Sequence, residues 1–369
     1  MARGTGTVIG RPRVAPGVRA LNYLELEGLL DRSGLGTAAA QQRRALAGAG
    51  VKVDTSPWRG GDLRSGVRSL VAGRSAFAHY DLAHCNAPGP GTLAVVRHAR
   101  REGIPLVLHA HVTAEDFAES FRGSAAVAPA LGRYLRWFYS RADLVLCPSE
   151  YTKGVLESYP VDAPVRQVTN GVDRDSLSGF ASLRGAYRER YGLDGFTVFA
   201  VGNVFERKGL TTFCELAHSS EYEFAWFGPY DTGPLAAPTV TRWVEHPPEN
   251  VTFTGWIDDK RGAYAAGDVL CFPAKVENQG LVVLEAMACG KPVVLRSIPA
   301  FEEFYTHGED CLLCETRGEF AEALDRLAGD PALRERLGAN ARETAAEHSL
   351  ERVGEELAGH YRDLLAAER

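Results

Sequence analysis

The sequence predicts an α/β protein that folds as two doubly wound domains, each built on a parallel β-sheet. Short apolar segments alternate with amphipathic segments of about 10–15 residues, which is the pattern of βαβ units. This alternation stops at a polar, turn-rich stretch at residues 170–180 and then starts again. With roughly 150 residues per domain as a guide, the 369 residues are enough for two hydrophobic cores.

In the first half, short apolar runs are expected to form strands and longer amphipathic segments to form helices. The strands are predicted at residues 18–24, 51–54, 82–85, 105–109, 144–147 and 165–168. The helices are predicted at residues 37–48, 93–102 and 129–140. Strands that alternate with helices of this length are expected to be parallel.

The second half repeats this alternation. Its strands are predicted at residues 197–202, 223–227, 251–254, 269–272 and 292–295. Its helices are predicted at residues 210–218, 261–266, 281–289 and 318–328, and the Arg/Glu-rich tail from residue 330 is expected to be helical throughout. Because ligands of doubly wound sheets bind at the carboxyl ends of the strands, we expect the site in the cleft between the two domains.

Charge is unevenly divided along the chain. The total of 41 Lys+Arg and 47 Asp+Glu gives a net charge of −6, yet residues 1–150 have a balance of +7 and the remainder a balance of −13. A basic first half favours an anionic ligand or surface as its partner. The alternative is a chance division of solvated charges.

Composition excludes several classes of protein. The hydrophobic fraction of 45% and the charged fraction of 24% are typical of soluble globular proteins and argue against disorder or fibrous repeats. No apolar run approaches the roughly 20 residues that span a bilayer, and the first residues lack the apolar core of a signal peptide. Seven cysteines, an odd number, disfavour a disulfide framework. We therefore expect a cytoplasmic protein.

A glycine-rich segment precedes the first predicted helix. Gly34, Gly36 and Ala39 match G-x-G-x-x-A, and Asp54 follows Gly34 by twenty residues. This spacing is typical of NAD(P)-dependent oxidoreductases, in which the acid binds the ribose. However, the first glycine of that fingerprint follows the strand directly, whereas several residues intervene here. A phosphate cradle at a helix N-terminus and a simple glycine turn are the other interpretations.

Two adjacent cations, Arg207 and Lys208, lie between the predicted strand at residues 197–202 and the following helix. Cations at the carboxyl end of a sheet, beside a helix N-terminus, suit a diphosphate group. The alternative is an ordinary solvated surface pair.

Two carboxylates are spaced across a loop and an apolar helix. Glu277 follows the strand at residues 269–272, and Glu285 lies inside an otherwise apolar segment. A carboxylate is costly to bury unless it accepts hydrogen bonds, and sugar hydroxyls are natural donors. Gly280 at the helix start leaves backbone N–H groups open to an anion. The alternative is that Glu285 faces solvent.

His109 and His111 are two residues apart at a strand end, so their side chains point to the same face. A metal site needs at least a third ligand. Candidates are His84, Glu115 and Asp116. No metal-binding spacing accompanies these residues, so we expect no metal site at the histidines. Cys311 and Cys314 have no second cysteine pair, so we expect them to lie in a buried strand and not in a zinc site.

The segment at residues 122–141 combines arginines with aromatic residues. Arg133, Arg136 and Trp137 belong to it, and a basic helix with aromatic side chains suits the interface of an anionic membrane. We expect these residues to contact an acceptor or a membrane. The alternative is that the aromatic residues are core and the arginines merely flank them.

Taken together, the motifs resemble the retaining glycosyltransferases of family 4, which have the GT-B fold of two facing Rossmann-like domains around a cleft. The detail is most similar to the subgroup that makes glycosyl-diacylglycerol lipids. The motifs lie at residues 33–38, 109–113, 148–153, 169–173, 202–209, 253–256 and 277–292. The resemblance implies a first, acceptor-side domain at residues 1–170, a nucleotide-sugar domain at 171–349 and a helix at about 350–369 that crosses back to the first domain.

The implied activity is transfer of a hexose, with retention, from a nucleotide-sugar such as UDP-glucose or GDP-mannose to a hydroxyl group. A membrane lipid is the expected acceptor, and a polysaccharide or soluble acceptor is the alternative. The resemblance implies no metal ion and no nucleic acid partner. It implies a location in the cytoplasm, at the inner face of the cell membrane.

The resemblance also implies which residues act on the donor. Arg207 and Lys208 would neutralise the diphosphate in place of a metal ion, and Gly34 and Gly36 would approach it from the first domain. His111 would contact the donor sugar near the reacting carbon. The residues implied in catalysis are His111, Glu277, Arg207 and Lys208.

Glu277 would hold hydroxyl groups of the donor sugar, and Glu285 would bind the ribose. Further implied donor-site residues are Asn170, Asn203, Asn278, Gln279, Gly280 and Leu281. Gln279 departs from the family, where Phe or Gly is common, so the identity of the donor sugar is not implied.

Overall fold

The computed structural model describes residues 17–367, apart from residues 31, 119 and 235. It contains two six-stranded sheets in which every pair of neighbouring strands is parallel. The predicted α/β class with two parallel sheets is therefore confirmed. The expectation about a signal peptide concerns residues 1–24, of which residues 1–16 lie outside the described residues.

The first sheet has the strand order β2-β1-β3-β4-β5-β6. Its strands are β1 (Arg19–Tyr23), β2 (Lys52–Asp54), β3 (Leu82–Cys85), β4 (Leu106–His109), β5 (Leu144–Cys147) and β6 (Val165–Gln167). All four residues of β3, of β4 and of β5 are buried, as expected for parallel strands with helices on both faces.

The second sheet has the strand order β12-β11-β10-β7-β8-β9. Its strands are β7 (Thr197–Val201), β8 (Glu223–Phe227), β9 (Val251–Gly255), β10 (Val269–Phe272), β11 (Val293–Arg296) and β12 (Leu312–Cys314). The last strand lies where the cysteine pair predicted a buried strand, and both Cys311 and Cys314 are buried free thiols.

Helices connect the strands in each half. Those of the first half are α1 (Glu27–Leu30), α2 (Gly34–Gly48), α3 (Leu63–Val71), α4 (Pro90–Glu102), α5 (Ala114–Ala118), α6 (Ser124–Tyr139) and α7 (Glu150–Ser158). Those that follow are α8 (Arg184–Tyr191), α9 (Leu210–His218), α10 (Pro238–Glu245), α11 (Arg261–Ala266), α12 (Leu281–Ala288), α13 (Pro299–Glu302), α14 (Arg317–Gly329), α15 (Pro331–Glu347) and α16 (Leu350–Ala367).

The tail is interrupted, although a continuous helix was predicted from residue 330. Helix α15 ends at Glu347 and α16 begins at Leu350. The break occurs because the carbonyl of His348 accepts a hydrogen bond from the Val172 N–H at 2.9 Å, and Ser349 forms a bridge with Val172. The connection between the two halves therefore fixes the point where the tail turns.

Helix α16 packs on the first sheet rather than on the second. Val353, Leu357 and Tyr361 share a buried cluster with residues of β1, β3, β4 and β5. A Cβ atom at Gly354 would lie 2.2 Å from the Ala45 carbonyl oxygen of α2, so only glycine permits this approach. The end of the chain thus covers the first half, while the exact domain boundaries stay a prediction.

A bilayer-spanning helix is not found within residues 17–367 as described, since none of the helices there is both long and apolar enough.

The close approach of α16 to α2 gives a stability prediction. Gly354→Ala places a methyl group against backbone and should cost about 1–3 kcal/mol, as overpacking does. We expect the melting temperature to fall by a few degrees in a calorimetric or circular-dichroism scan. Gly359→Ala on the same helix is the control, because its Cβ would meet nothing closer than the end of the Arg362 side chain at 3.7 Å. Equal melting temperatures for the two variants would contradict this packing.

Candidate active site

A cavity of about 390 Å³ lies between the carboxyl ends of the two sheets. Segments that follow strands of both halves line it, as the doubly wound topology requires. The predicted site residues that line it are Gly34, His111, Asn170, Asn203, Arg207, Lys208, Glu277, Asn278, Gln279, Gly280, Leu281 and Glu285. The fold therefore brings these twelve residues to one cleft.

Gly36 is the predicted donor-site residue that does not line the cavity. Helix α2 begins at Gly34, three residues earlier than predicted, because Ser33 caps it. The Ser33 hydroxyl accepts a hydrogen bond from the Gly36 N–H at 3.2 Å. This cap uses the N–H group that was expected to approach the diphosphate.

Asp54, the ribose-binding residue in the oxidoreductase interpretation, is also not among the residues that line the cavity. Its carboxylate forms an ion pair with Arg19. Ten residues separate the end of β1 from Gly34, so the glycine segment does not form the tight strand-to-helix turn of a dinucleotide site.

A mostly buried charge cluster, whose charged side chains are 13–16% exposed, joins the two halves at Arg207. Its Nη1 lies 2.9 Å from Asp116 Oδ1 and 3.6 Å from Glu277 Oε2, and its Nε donates to Ser120 Oγ at 3.1 Å. Burial raises the pKa of Asp116, an effect that Arg207 opposes and Glu277 reinforces. The sequence suggested Asp116 only as a metal ligand, since the pairing with Arg207 depends on the tertiary fold.

Lys208 lies beside this cluster with its ammonium group against the backbone of Gly202. A Cβ atom at Gly202, whose φ is +114°, would lie 2.7 Å from Lys208 Nζ. Burial lowers the pKa of Lys208, while the Glu277 carboxylate opposes the change. Across the described part of the chain, no hydrogen bond or ion pair satisfies this ammonium group. The site therefore holds a cation without an anionic partner among the described residues, and an anionic ligand can pair with it.

The loop between β10 and α12 turns at Gly280, whose φ of +79° is in the left-handed region. A Cβ atom there would approach Phe301 to 3.0 Å. Helix α12 begins at Leu281, so its first N–H groups have no carbonyl partner within the helix and lie at the cavity. Glu277 accepts a hydrogen bond from the Asn278 N–H at 3.2 Å, which orients its carboxylate.

Glu285 is buried, with 5% of its surface exposed, so the alternative that it faces solvent is wrong. Lys260 Nζ lies 2.6 Å from one carboxylate oxygen, and the Tyr264 hydroxyl donates to the other. Burial and the Glu285 charge raise the pKa of Tyr264 well above its usual value, which keeps it a donor. Lys260 and Tyr264 lie at the start of α11 and within it, and no sequence pattern indicated that they would meet a residue of α12.

Polar contacts bridge the cleft at Asn278 and Gln279. The Asn278 amide donates to the His111 carbonyl at 3.1 Å and accepts from the Thr152 hydroxyl at 3.2 Å. The Gln279 amide accepts from the Asn170 N–H at 2.9 Å and donates to the Thr169 hydroxyl. These side chains therefore connect the two halves across the cleft.

Three histidine rings stack behind the cavity wall. His84, His109 and His111 follow one another with ring centroids 5.4 and 4.1 Å apart. Burial lowers the pKa of His111, and that of His84, to about 3, so both rings are neutral near pH 7. Only His111 of the three lines the cavity. Among the described residues, no group of three or more His, Cys, Asp or Glu side chains is arranged to hold a metal ion.

The predicted acceptor or membrane residues lie apart from the cavity, on α6. Arg133, Arg136 and Trp137 are exposed, and the Arg141 guanidinium stacks 3.6 Å from the centroid of the Trp137 ring. Phe138 is 2% exposed, so the core alternative holds for some of the aromatic residues but not for Trp137.

Each half of the chain matches a known protein family. Residues 37–176 match the family described as Glycosyltransferase Family 4, and residues 195–330 match the family described as Glycosyl transferases group 1.

Two curated relatives act on lipids, as their names state. A processive diacylglycerol alpha-glucosyltransferase of Acholeplasma laidlawii is 29% identical over 359 residues, which is 95% of this chain and 100% of the relative. The alpha-galactosylglucosyldiacylglycerol synthase of Streptococcus pneumoniae is 27% identical over 163 residues, 43% of each chain.

Solved structures share the fold. The Anabaena protein HepE in complex with UDP-glucose superposes with a TM-score of 0.72 at 18% identity, over 94% of this chain and 99% of its own. Sucrose-phosphate synthase of Thermosynechococcus elongatus superposes with a TM-score of 0.77 at 21% identity, over 95% and 100% of the two chains.

A pair of hydrogen bonds between the two halves, at Glu303, gives a testable prediction. The Glu303 carboxylate accepts the N–H groups of Glu150 and Tyr151, at 2.9 and 2.8 Å, at the start of α7. First-turn amides have no partner within their own helix. Glu303→Ala should therefore raise hydrogen exchange of these two amides by about three- to tenfold, since a partly solvated charged hydrogen bond is worth little more.

The matched control for this measurement is Glu302→Ala. The Glu302 carboxylate accepts from the Ser297 hydroxyl within the second half. Exchange at residues 150–151 should stay unchanged in this variant. If both variants behave alike, Glu303 does not hold the halves together.

Proposed function

We propose that this chain transfers a hexose from a nucleotide-sugar to a hydroxyl group of a membrane lipid. It carries a family 4 domain followed by a group 1 domain, and so it belongs to these glycosyltransferases of the GT-B fold. We assign residues 1–170 and the helix from residue 350 to the acceptor side. Residues 171–349 form the donor side. The proposal rests on Lys208, whose ammonium group lies beside Arg207 in the cleft and has no anionic partner among the described residues.

The cation pair suits the diphosphate of the donor. Arg207 is already paired with Asp116 and contacts Glu277, whereas the Lys208 ammonium has no anionic partner at hydrogen-bond distance among the described residues. The first N–H groups of α12 and of α2, at Leu281 and Gly34, add partial positive charge. Donors fixed in this way stabilise the negative charge that develops as the nucleoside diphosphate leaves.

The sugar is expected between the two sides of the cleft. Glu277 and the loop N–H groups are available to its hydroxyls from the second half, and His111 is available from the first half. Glu285, held by Lys260 and Tyr264, accepts a ribose hydroxyl as a further partner. UDP-glucose is the first donor to test, because the structurally similar HepE was crystallised in complex with it, and GDP-mannose is the second.

We propose front-face substitution with retention of configuration. A double displacement needs a carboxylate that is free to attack the anomeric carbon. Asp116 and Glu277 both contact Arg207, and Glu285 is bound by Lys260 and Tyr264. In the proposed step the acceptor hydroxyl bonds to the anomeric carbon on the face from which the diphosphate departs, and the hydroxyl proton passes to the departing phosphate oxygen.

A basic face on the first half supports a lipid acceptor. Helices α3, α4 and α6 together carry seven arginines and a single acid, Glu102. They adjoin one another, since His98 of α4 stacks on Phe77 next to α3 and Tyr134 of α6 donates to the Pro88 carbonyl before α4. Exposed apolar side chains accompany them at Leu63, Val67, Leu70, Val71, Val127 and Trp137. Arginines beside exposed apolar residues suit an anionic bilayer surface, which we take to be the inner face of the cell membrane.

Replacing the site charges tests the transfer. Lys208→Ala or Glu277→Ala should lower nucleotide release from the donor by at least about 100-fold, in line with the loss of a transition-state charge contact. The fold should persist by circular dichroism. Lys275→Ala is the control, since that lysine pairs with Glu206 at the protein surface. Wild-type rates in either site variant would overturn the assignment.

Flotation with vesicles tests the membrane surface. The wild-type protein should float with phosphatidylglycerol-containing vesicles at low salt and be released at high salt, because salt screens such contacts. Arg133→Glu/Arg136→Glu should weaken flotation severalfold, whereas Arg190→Glu/Arg326→Glu on the second half should not. Absence of binding to anionic vesicles at low salt would favour a soluble acceptor instead.

A further inference from the structure

Behind His111 lies a chain of buried amide side chains that the proposed transfer does not use. Asn22 is 0% exposed and Gln42 is 1% exposed, and both lie between the Arg43 guanidinium and the histidine rings. Buried amides of this kind are held in one orientation by their hydrogen bonds, and that orientation decides which histidine nitrogens accept and which donate.

Arg43 sets the direction of the chain. A guanidinium only donates hydrogen bonds. Because Arg43 Nε lies 3.2 Å from Asn22 Oδ1, the oxygen of Asn22 faces Arg43. The Asn22 amide nitrogen then donates to Gln42 Oε1 at 3.2 Å. The Gln42 amide nitrogen is consequently turned towards the histidines.

The Gln42 amide has two hydrogens and meets two ring nitrogens. Its Nε2 lies 3.0 Å from His109 Nδ1 and 3.2 Å from His111 Nε2. A neutral imidazole has one N–H and one accepting nitrogen. Accepting from Gln42 at Nε2 therefore leaves the His111 proton on Nδ1.

Asn86 competes for the same nitrogen of His111. Its amide nitrogen donates to Asn22 Oδ1 at 3.1 Å, which turns Asn86 Oδ1 towards His111 Nε2 at 3.2 Å. If His111 Nε2 carried the proton and donated it to Asn86 Oδ1, the Gln42 amide N–H would point at the His111 Nε2–H group and have no acceptor. The Gln42 hydrogen bond to His109 already leaves one buried N–H, on His109 Nε2, without a partner among the described residues. A second such group at Gln42 would cost more than an under-satisfied Asn86 oxygen, so the Gln42 hydrogen bond to His111 prevails.

We propose that Gln42 is a positioning residue that holds His111 with its proton on Nδ1, so that His111 offers an N–H to an oxygen of the nucleotide-sugar. Nδ1 is the ring nitrogen of His111 for which the described residues supply no partner, and the residue lines the cavity. The nucleotide-sugar as the ligand of His111 rests on the proposed function, whereas the position of the proton on Nδ1 does not depend on it.

The same geometry gives His84 and His109 the opposite tautomer. His109 Nδ1 accepts from Gln42, so its proton lies on the buried Nε2, which has no hydrogen-bond partner among the described residues. His84 Nε2 lies 3.3 Å from the same His109 Nδ1 and shares its lone pair with Gln42 as the longer donor, which leaves His84 Nδ1 to accept from the Tyr361 hydroxyl at 2.7 Å. Helix α16 thus supports the inner end of the stack.

Nitrogen-15 NMR of the ligand-free protein, labelled in its ten histidines, tests the proton positions. Long-range proton–nitrogen spectra distinguish Nδ1–H from Nε2–H rings, and loss of one signal set in His111→Asn assigns that residue. We expect Nδ1–H for His111. An Nε2–H ring at His111 in the wild-type protein would overturn the proposal, whatever the variants do.

Three variants then separate positioning from packing. Gln42→Leu should turn His111 to Nε2–H, with Asn86 as acceptor, while Asn86→Leu should keep Nδ1–H. Gln41→Leu is the matched control, because this neighbour is also buried and its amide has no hydrogen-bond partner within the described chain. If Gln42→Leu does not fold, the wild-type and Asn86→Leu spectra still decide the question.

Kinetics with UDP-glucose supply the functional half of the test. Gln42→Leu should lower kcat about tenfold with less than a twofold change in the donor KM, and Gln41→Leu should change neither. An unchanged kcat in Gln42→Leu would contradict positioning even where the tautomer shifts. If the wild-type protein turns over no nucleotide-sugar, the proposed function fails, while the spectra still report on Gln42.

Discussion

The Arg207 guanidinium contacts Asp116 and Ser120 of the first half and Glu277 of the second, and the shape of the cleft depends on this cluster. A buried cation with carboxylates on both sides of a cleft ties the halves while leaving little net charge between them. The side-chain amides of Asn278 and Gln279 also form hydrogen bonds between the two halves. Removing one member of such a cluster leaves an uncompensated buried charge, so the members depend on each other.

Lys208 differs from Arg207 because no carboxylate among the described residues pairs with it, and the proposed function depends on this difference. Burial lowers the pKa of its ammonium group, yet this group has no partner at ion-pair distance among the described residues. A folded chain keeps such a group at a cost in stability, and in the proposed function a bound diphosphate would relieve that cost. The position of Lys208 therefore indicates the charge of the ligand better than the acidic net charge of the second half does.

The sequence was sufficient to predict that residues after β7 and β10 would meet, because parallel strands of one sheet place their following loops at one edge. The expected cleft between two such sheets added the residues after β4. It was not sufficient to predict the partners of Glu285, since Lys260 and Tyr264 belong to a different helical segment. Gly36 was misplaced because the Ser33 cap starts α2 earlier than its apolar pattern does. Helix α3 was missed although Leu63, Val67 and Leu70 recur at helical spacing. These side chains lie on the surface and not in the core.

The proposed activity requires that the cleft activate a nucleotide-sugar for attack by a lipid hydroxyl. The decisive measurement incubates the protein with UDP-, GDP- and ADP-sugars and vesicles that contain diacylglycerol, and follows both released nucleotide and glycosylated lipid by mass spectrometry. We expect equal amounts of nucleoside diphosphate and glycolipid from at least one donor. Release of nucleotide with only free sugar, or no release from any donor, would contradict lipid glycosylation by this cleft.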